Sequence, residues 1–196
     1  MQLQNMFRSI QWRIAISFTF LILLSMGISG FYVVDFIRDE RIDDLKSQLE
    51  GEALLIAEAS LPAISDPSIE NLDNLAETLG KRIDARVTII GSDGTVFGDS
   101  DEEPISMENH LDRPEVQEAL STGVGESSRY STTLNDRLMY VAVPIEADDT
   151  VIGIVRVALS TTDVDNSVAN LQRNIGIAIG VAALFTILAA LYIARS

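Results

Sequence analysis

The stretch Glu108 to Leu120, ENHLDRPEVQEAL, holds His110, the only histidine in a chain of 196 residues. Asp112 follows two positions later and Pro114 four positions later. An imidazole can accept a phosphoryl group. A histidine that packs a loop or touches a ligand uses the same residue type. Arg113, Arg129 and Tyr140 suggest a second chemistry, because a guanidinium grips a carboxylate or similar anion with two parallel hydrogen bonds. These three are the expected anchors of an anionic ligand; the alternative is that both arginines pair with nearby acids on the surface. The run DSDEEP, Asp99 to Pro104, offers carboxylate oxygens to a hard cation. It lacks the glycine and spacing of an EF-hand loop and reads better as an exposed acidic loop. The chain has no cysteine, which excludes disulfides, thiolate metal sites and cysteine nucleophiles, and one histidine excludes an intrachain histidine cluster. No nucleophile–base pair is legible, and neither a metal nor a cofactor is expected.

Whether His110 can meet ATP depends on which side of a membrane it lies. Ile14–Val34 is a run of 21 residues without a charge, about 31 Å long as a helix, close to one bilayer core. Ile175–Ala194 holds 20 uncharged residues and spans equally well. The first run exceeds the apolar core of a signal peptide, about 7–15 residues, and no clear A-x-A site follows, so an uncleaved anchor is expected. Arg8 and Arg13 precede the first span and Arg195 follows the second. The segment between carries 11 basic and all 29 acidic residues, a net of −18. Basic flanks place both termini in the cytoplasm. The expected layout is a cytoplasmic N-terminus over 1–13, spans over 14–34 and 175–194, an extracytoplasmic domain over 35–174, and the start of a cytoplasmic linker at 195–196. His110 then faces away from ATP. The overall charge of −15 also argues against nucleic acid, whose phosphates call for Lys and Arg.

The middle segment has room for one domain with its own core. Residues 35–60 read as a helix with Ile42, Leu45, Leu49 and Ile56 on one stripe. Ile42, Leu49 and Ile56 recur every seven residues, as in a two-helix seam. A helix packed on its own sheet explains the stripe equally well. Pro62 and Pro67 are expected to end this helix. Ser68 can cap a second helix with Leu72, Leu75 and Leu79 on one face. ARVTIIG and TVFGDS form a hairpin about Asp93-Gly94. In RPEVQEAL, Pro114 suits a first helical turn, Glu115 sits near the positive end, Val116, Ala119 and Leu120 make an apolar face, and Gly123 stops the helix. Three strands follow, turned at Asn135-Asp136 and at ADDT, with Met139, Val141, Val143 and Ile145 on one face. A final helix runs into the second span. The fold class is α+β: an antiparallel sheet domain between long N- and C-terminal helices, flanked by two transmembrane helices.

The phrases HLDRPEVQEAL, GESSRYSTTL, MYVAVPI and IGIVRVAL, in this layout, resemble the sensory half of a bacterial membrane sensor histidine kinase. The group is the one with an extracytoplasmic PAS-like (Cache-type) domain, similar to phosphate-regulon-type kinases. The resemblance covers nearly the whole chain and implies a PAS-like sheet, a homodimer and a HAMP linker opening near Arg195-Ser196. The phosphoryl-accepting box of such kinases carries its proline one residue further from the histidine than Pro114 lies from His110. No asparagine box or ATP lid can be quoted, so the resemblance implies an input module that is not itself an enzyme. The alternative is a membrane-tethered domain binding a small ligand or an extracytoplasmic protein with no kinase downstream. Gly176 and Gly180, a G-x-x-x-G, and Ser25 and Ser29 at the same spacing allow close helix approach in a dimer.

Overall fold

Alternating apolar residues set the domain's sheet. The computed structural model describes residues 10–65, 69–131 and 136–195. Five strands, β1 (Arg86–Gly91), β2 (Val96–Asp99), β3 (Gly125–Ser131), β4 (Asp136–Ala147) and β5 (Thr150–Ser160), form one sheet in the order β2-β1-β5-β4-β3. Every neighbouring pair is antiparallel. The helices are α1 (Ile10–Ser65), α2 (Ile69–Ile83), α3 (Pro114–Thr122) and α4 (Thr162–Arg195).

The chain divides into two compact units. One runs from Ile42 to Asp163; the other comprises the segments up to Arg41 and from Val164 onward. In the first, Met139, Val141, Val143 and Ile145 share a core with Val155 and Val157 of β5 and with Leu49 and Ile56 of α1. Leu72 of α2 is fully buried in that core, and Leu75 and Leu79 pack against it. The opposite sheet face is covered by α3, where Val116 and Ala119 meet Ile90, Ala142 and Ile154.

Several expectations change. Helix α1 continues past Pro62 to Ser65. The bond that proline forfeits falls in the last turn and would have gone to Glu58, an exposed residue. Leu61 and Ile64 of the same turn pack on the core and hold it helical. Leu49 and Ile56, offered as a seam for a second copy, are 1% and 3% exposed within this chain and face its own sheet; Ile42 packs against the same core. Leu120 is not part of the α3 apolar face and stands exposed. Pro67, Ser68 and Asn135 lie outside the described residues.

In the second unit, Gly30 of α1 lies against α4. A Cβ on Gly30 would come within 2.9 Å of the Ile175 side chain. Val34 and Val168 are buried, and Arg38 lies 3.7 Å from Asp165. Gly176 and Gly180 meet nothing within 4 Å. α1 and α4 each contain a segment long and apolar enough to cross a membrane.

Candidate functional site

Alternation puts a charge in the middle of an apolar strand. Val155 and Val157 of β5 point into the main core, so Arg156 between them emerges on the other face. Its cross-strand neighbours, Thr88 and Ala142, are small and leave room for a guanidinium. Tyr140 of β4 and Thr88 of β1 occupy the same face by the same alternation, and Arg129 of β3 reaches over it.

Helix α3 supplies the counter-charge. Pro114 opens it, Arg113 is its N-cap residue, and Gly123 ends it in the left-handed conformation at φ 91°. The helix lies so close to β3 that a Cβ on Gly125 would fall 1.8 Å from the Glu115 carbonyl oxygen. This approach buries the Glu115 side chain completely. Arg129 grips its carboxylate with both terminal nitrogens, at 2.5 and 2.8 Å. Arg156 approaches the same carboxylate at 3.5 Å and donates to the Thr88 hydroxyl at 3.0 Å. Thr88 donates to Asp99 at 2.7 Å, and Asp99 accepts from Arg86 at 3.0 Å. One polar chain thus crosses the sheet face from Arg86 to Arg129. The Arg129 guanidinium stacks 3.9 Å from the Tyr140 ring centroid and that of Arg156 lies 5.2 Å away, both within cation–π range.

Beside this chain is a cavity of about 350 Å³, lined by Arg86, Arg113, Arg129, Arg156, His110 and Tyr140, with Glu102 and Glu108 among its other walls. Its cations are unequally answered. Arg86 is held by Asp99 and Glu102, and Arg129 by Glu115. Arg156 shares Glu115 at the longer distance and its buried Nε has no partner. Arg113 has Glu108 at 4.0 Å, and that carboxylate is 90% exposed. His110 is 5% exposed and its Nδ1 is buried without a partner.

Electrostatics follow from this layout. Burial pushes the Arg156 guanidinium down to about 10; Glu115 opposes that shift, and the Arg86 charge adds to it. Arg156 therefore stays charged at neutral pH. Burial alone would raise the Glu115 carboxyl, but hydrogen bonds from Arg129 and the backbone, with the Arg129 and Arg156 charges, hold it below its ordinary range. Burial first, then the charges of Arg156 and Arg113, push His110 down to about 4, so the ring is neutral at pH 7.

The three expected anchors, Arg113, Arg129 and Tyr140, line this one cavity. The alternative of pairing with acids is also realised. Arg113 has its exposed partner, but the partner of Arg129 is fully buried. Arg156, Arg86 and Glu115 were not expected as site residues, whereas His110 was weighed as a loop-packing residue or a ligand contact. The legible signal was Arg156, a lone charge inside VIGIVRVALS, since a charge there needs a partner. In the acidic run, Asp99 is committed to Arg86 and Thr88 and is 2% exposed, so it is no part of an exposed loop.

Residues 39–160 match the family model described as single Cache-like. The sensor protein kinase WalK of several Staphylococcus aureus strains is 23% identical over 201 residues, covering 96% of this chain and 33% of WalK. The chain thus spans about a third of the length of these relatives. Among solved structures, the sensor domain of the Vibrio cholerae histidine kinase DctB superposes with a TM-score of 0.60 at 16% identity, covering 75% of this chain and 59% of that one. The ligand-binding domain of the Campylobacter jejuni chemoreceptor Tlp3, solved with L-valine, gives 0.58 at 22%, covering 78% and 67%. The Escherichia coli DcuS sensor domain gives 0.51 at 17%, covering 67% and 96%. The α+β sheet domain is of the kind these sensors carry, and two apolar helices flank it. The chain belongs to the single Cache-like family.

Proposed function

We propose that this chain is the extracytoplasmic input module of a two-component sensor histidine kinase and that its cavity receives a small anionic ligand. One observation carries the ligand reading: buried Arg156, with an unpartnered Nε, beside the poorly answered Arg113. A buried cation without a full partner is costly, and an incoming carboxylate or other oxyanion relieves that cost with charge-assisted hydrogen bonds. Arg156 and Arg113, the two least-answered cations, favour a plain acid over a zwitterion. The L-valine complex of Tlp3 makes an amino acid the natural comparison ligand.

In this reading residues 14–34 and 175–194 cross the plasma (cell inner) membrane, 35–174 lie outside, and both termini are cytoplasmic. Gly176 and Gly180, open within the chain, face a second copy in a homodimer. The test is a thermal-shift series on the full chain with acetate, succinate, phosphate and L-valine. Ligand at a hundred times its Kd stabilises by about 2.7 kcal/mol. The acids should raise the melting temperature and L-valine should do so less. Arg113→Ala, at a half-exposed position, should remove the effect without unfolding the domain. No shift with any acid, or the same shift in Arg113→Ala, refutes the anion site.

A further inference from the structure

His110 is a titratable group of the cavity that the anion reading does not use. It is buried, its Nδ1 has no partner, and it lines the same cavity as the two least-answered cations. We infer that the cavity takes up its anion together with one proton, which His110 holds. This rests on the anion-binding reading above.

The charges around the ring decide the matter. Arg156 comes from β5 and Arg113 from the start of α3; after burial, these two most oppose a charge on the imidazole. Arg86 of β1 is already matched by Asp99, and Arg129 of β3 by Glu115 of α3. Tyr140 of β4 and Tyr130 of β3 are the phenols of the same cavity, and Glu102 and Glu108 its two loop carboxylates. The β1–β2 turn brings Asp93, whose carboxylate accepts from Thr95. Backbone hydrogen bonding at Glu108 and Asn109 favours the protonated ring, but is outweighed in the empty cavity.

An anion seated between Arg113 and Arg156 reverses that balance. It neutralises the two opposing charges. The proton comes from solvent, adds to the Nδ1 lone pair, and leaves again with the ligand. By linkage, a ligand that raises the titration point of His110 must bind the protonated protein more tightly. Affinity then rises as pH falls from neutral towards about 4, the empty-cavity value, by about tenfold per pH unit at most. Such a cavity reports anion and acidity jointly.

His110 is the only histidine, so its ring signals are unambiguous in tag-free protein. The experiment uses the full chain in lipid nanodiscs with isotope-labelled histidine, titrated by NMR with and without sulfate or succinate. Sulfate keeps its charge across this window. The expected result is a midpoint near 4 in the empty protein, moving upward by about one unit or more with either anion, a tenfold change in the proton equilibrium. Sulfate Kd should tighten about fivefold from pH 7 to pH 4 for a one-unit shift, and His110→Gln should bind sulfate with a flat profile. Binding that leaves the midpoint unmoved, or an equal pH slope in His110→Gln, overturns the proton coupling and leaves the anion site standing. No binding of sulfate or succinate at any pH overturns both.

Discussion

Replacing Glu115 by alanine removes the carboxylate that answers both Arg129 and Arg156. Breaking one side of a buried ion pair costs about 3–5 kcal/mol, because a charge is left without its partner. Here the two arginines differ. The Arg129 side chain is 29% exposed and can recover water; that of Arg156 is 4% exposed and cannot. The expected loss is therefore near the low end, about 3 kcal/mol, or a melting temperature lower by roughly 10 °C for a domain of this size. Glu115→Gln keeps the volume and one acceptor oxygen and should lose about half as much. The assay is urea unfolding of the full chain in micelles at pH 7, followed by circular dichroism. A Glu115→Ala/Arg129→Ala double variant should show a coupling of about 1 kcal/mol or more. The sign with pH is also fixed. A carboxyl held below its ordinary range stabilises above that range, and the contribution is lost as pH falls through the folded-state value, so the gap to wild type must close in acid. A loss under about 1 kcal/mol with additive single effects would mean that the network does not hold α3 to the sheet.

His110 is held neutral, so unfolding takes up a proton once pH drops below 6.5; wild type should lose up to about 3 kcal/mol between there and pH 4, and His110→Gln should flatten that slope in melting curves. Gly125→Ala forces a Cβ into the backbone of α3 and should cost more than about 2 kcal/mol, whereas Gly123→Ala meets open space and should cost about 1 kcal/mol for its positive φ alone; equal unfolding midpoints would remove the close-approach argument. Reporters fused after Ser196 and within the 98–110 loop should report opposite compartments, and a shared compartment would remove the second span or its orientation. Gly180→Ile should weaken crosslinking between cysteines introduced in α4 of this cysteine-free chain, and unchanged crosslinking there and in Gly176→Ile would take the motif out of any interface.

The sheet was legible because periodicity two survives wherever one face is buried. Met139 to Ile145, the Asp93-Gly94 turn and the α3 boundaries at Pro114 and Gly123 all follow from local rules. Where local rules compete with tertiary burial they mislead. Pro62 reads as a stop, yet Ile64 beyond it is drawn into the core. The seven-residue stripe of Ile42, Leu49 and Ile56 looks the same facing a second helix or the chain's own sheet, and the sheet has it. The cavity was half legible. Arg113 and Arg129 stand near each other along the chain. Glu115 and Arg156 are 41 residues apart and meet only because β1, β5 and β4 are adjacent and α3 lies across them. That pairing of β1 with β5 has no signature in local spacing.

Strand β5 carries both sides of the domain in alternate residues. Val155 and Val157 belong to the core shared with Leu49 and Ile56 of α1, and Arg156 between them belongs to the cavity. Cavity and helix are thus separated by one thickness of backbone. A ligand displaces that strand only by binding two positions of it unequally, so the group it engages must have a contact still to gain. Arg129 has little, since its two terminal nitrogens are already at 2.5 and 2.8 Å from Glu115. Arg156 has more, with Glu115 at 3.5 Å and Nε unpartnered. On the proposed reading, an anion that completes the coordination of Arg156 would pull on a residue whose two neighbours share a core with Leu49 and Ile56 of α1. The route to that helix on this reading therefore runs through β5.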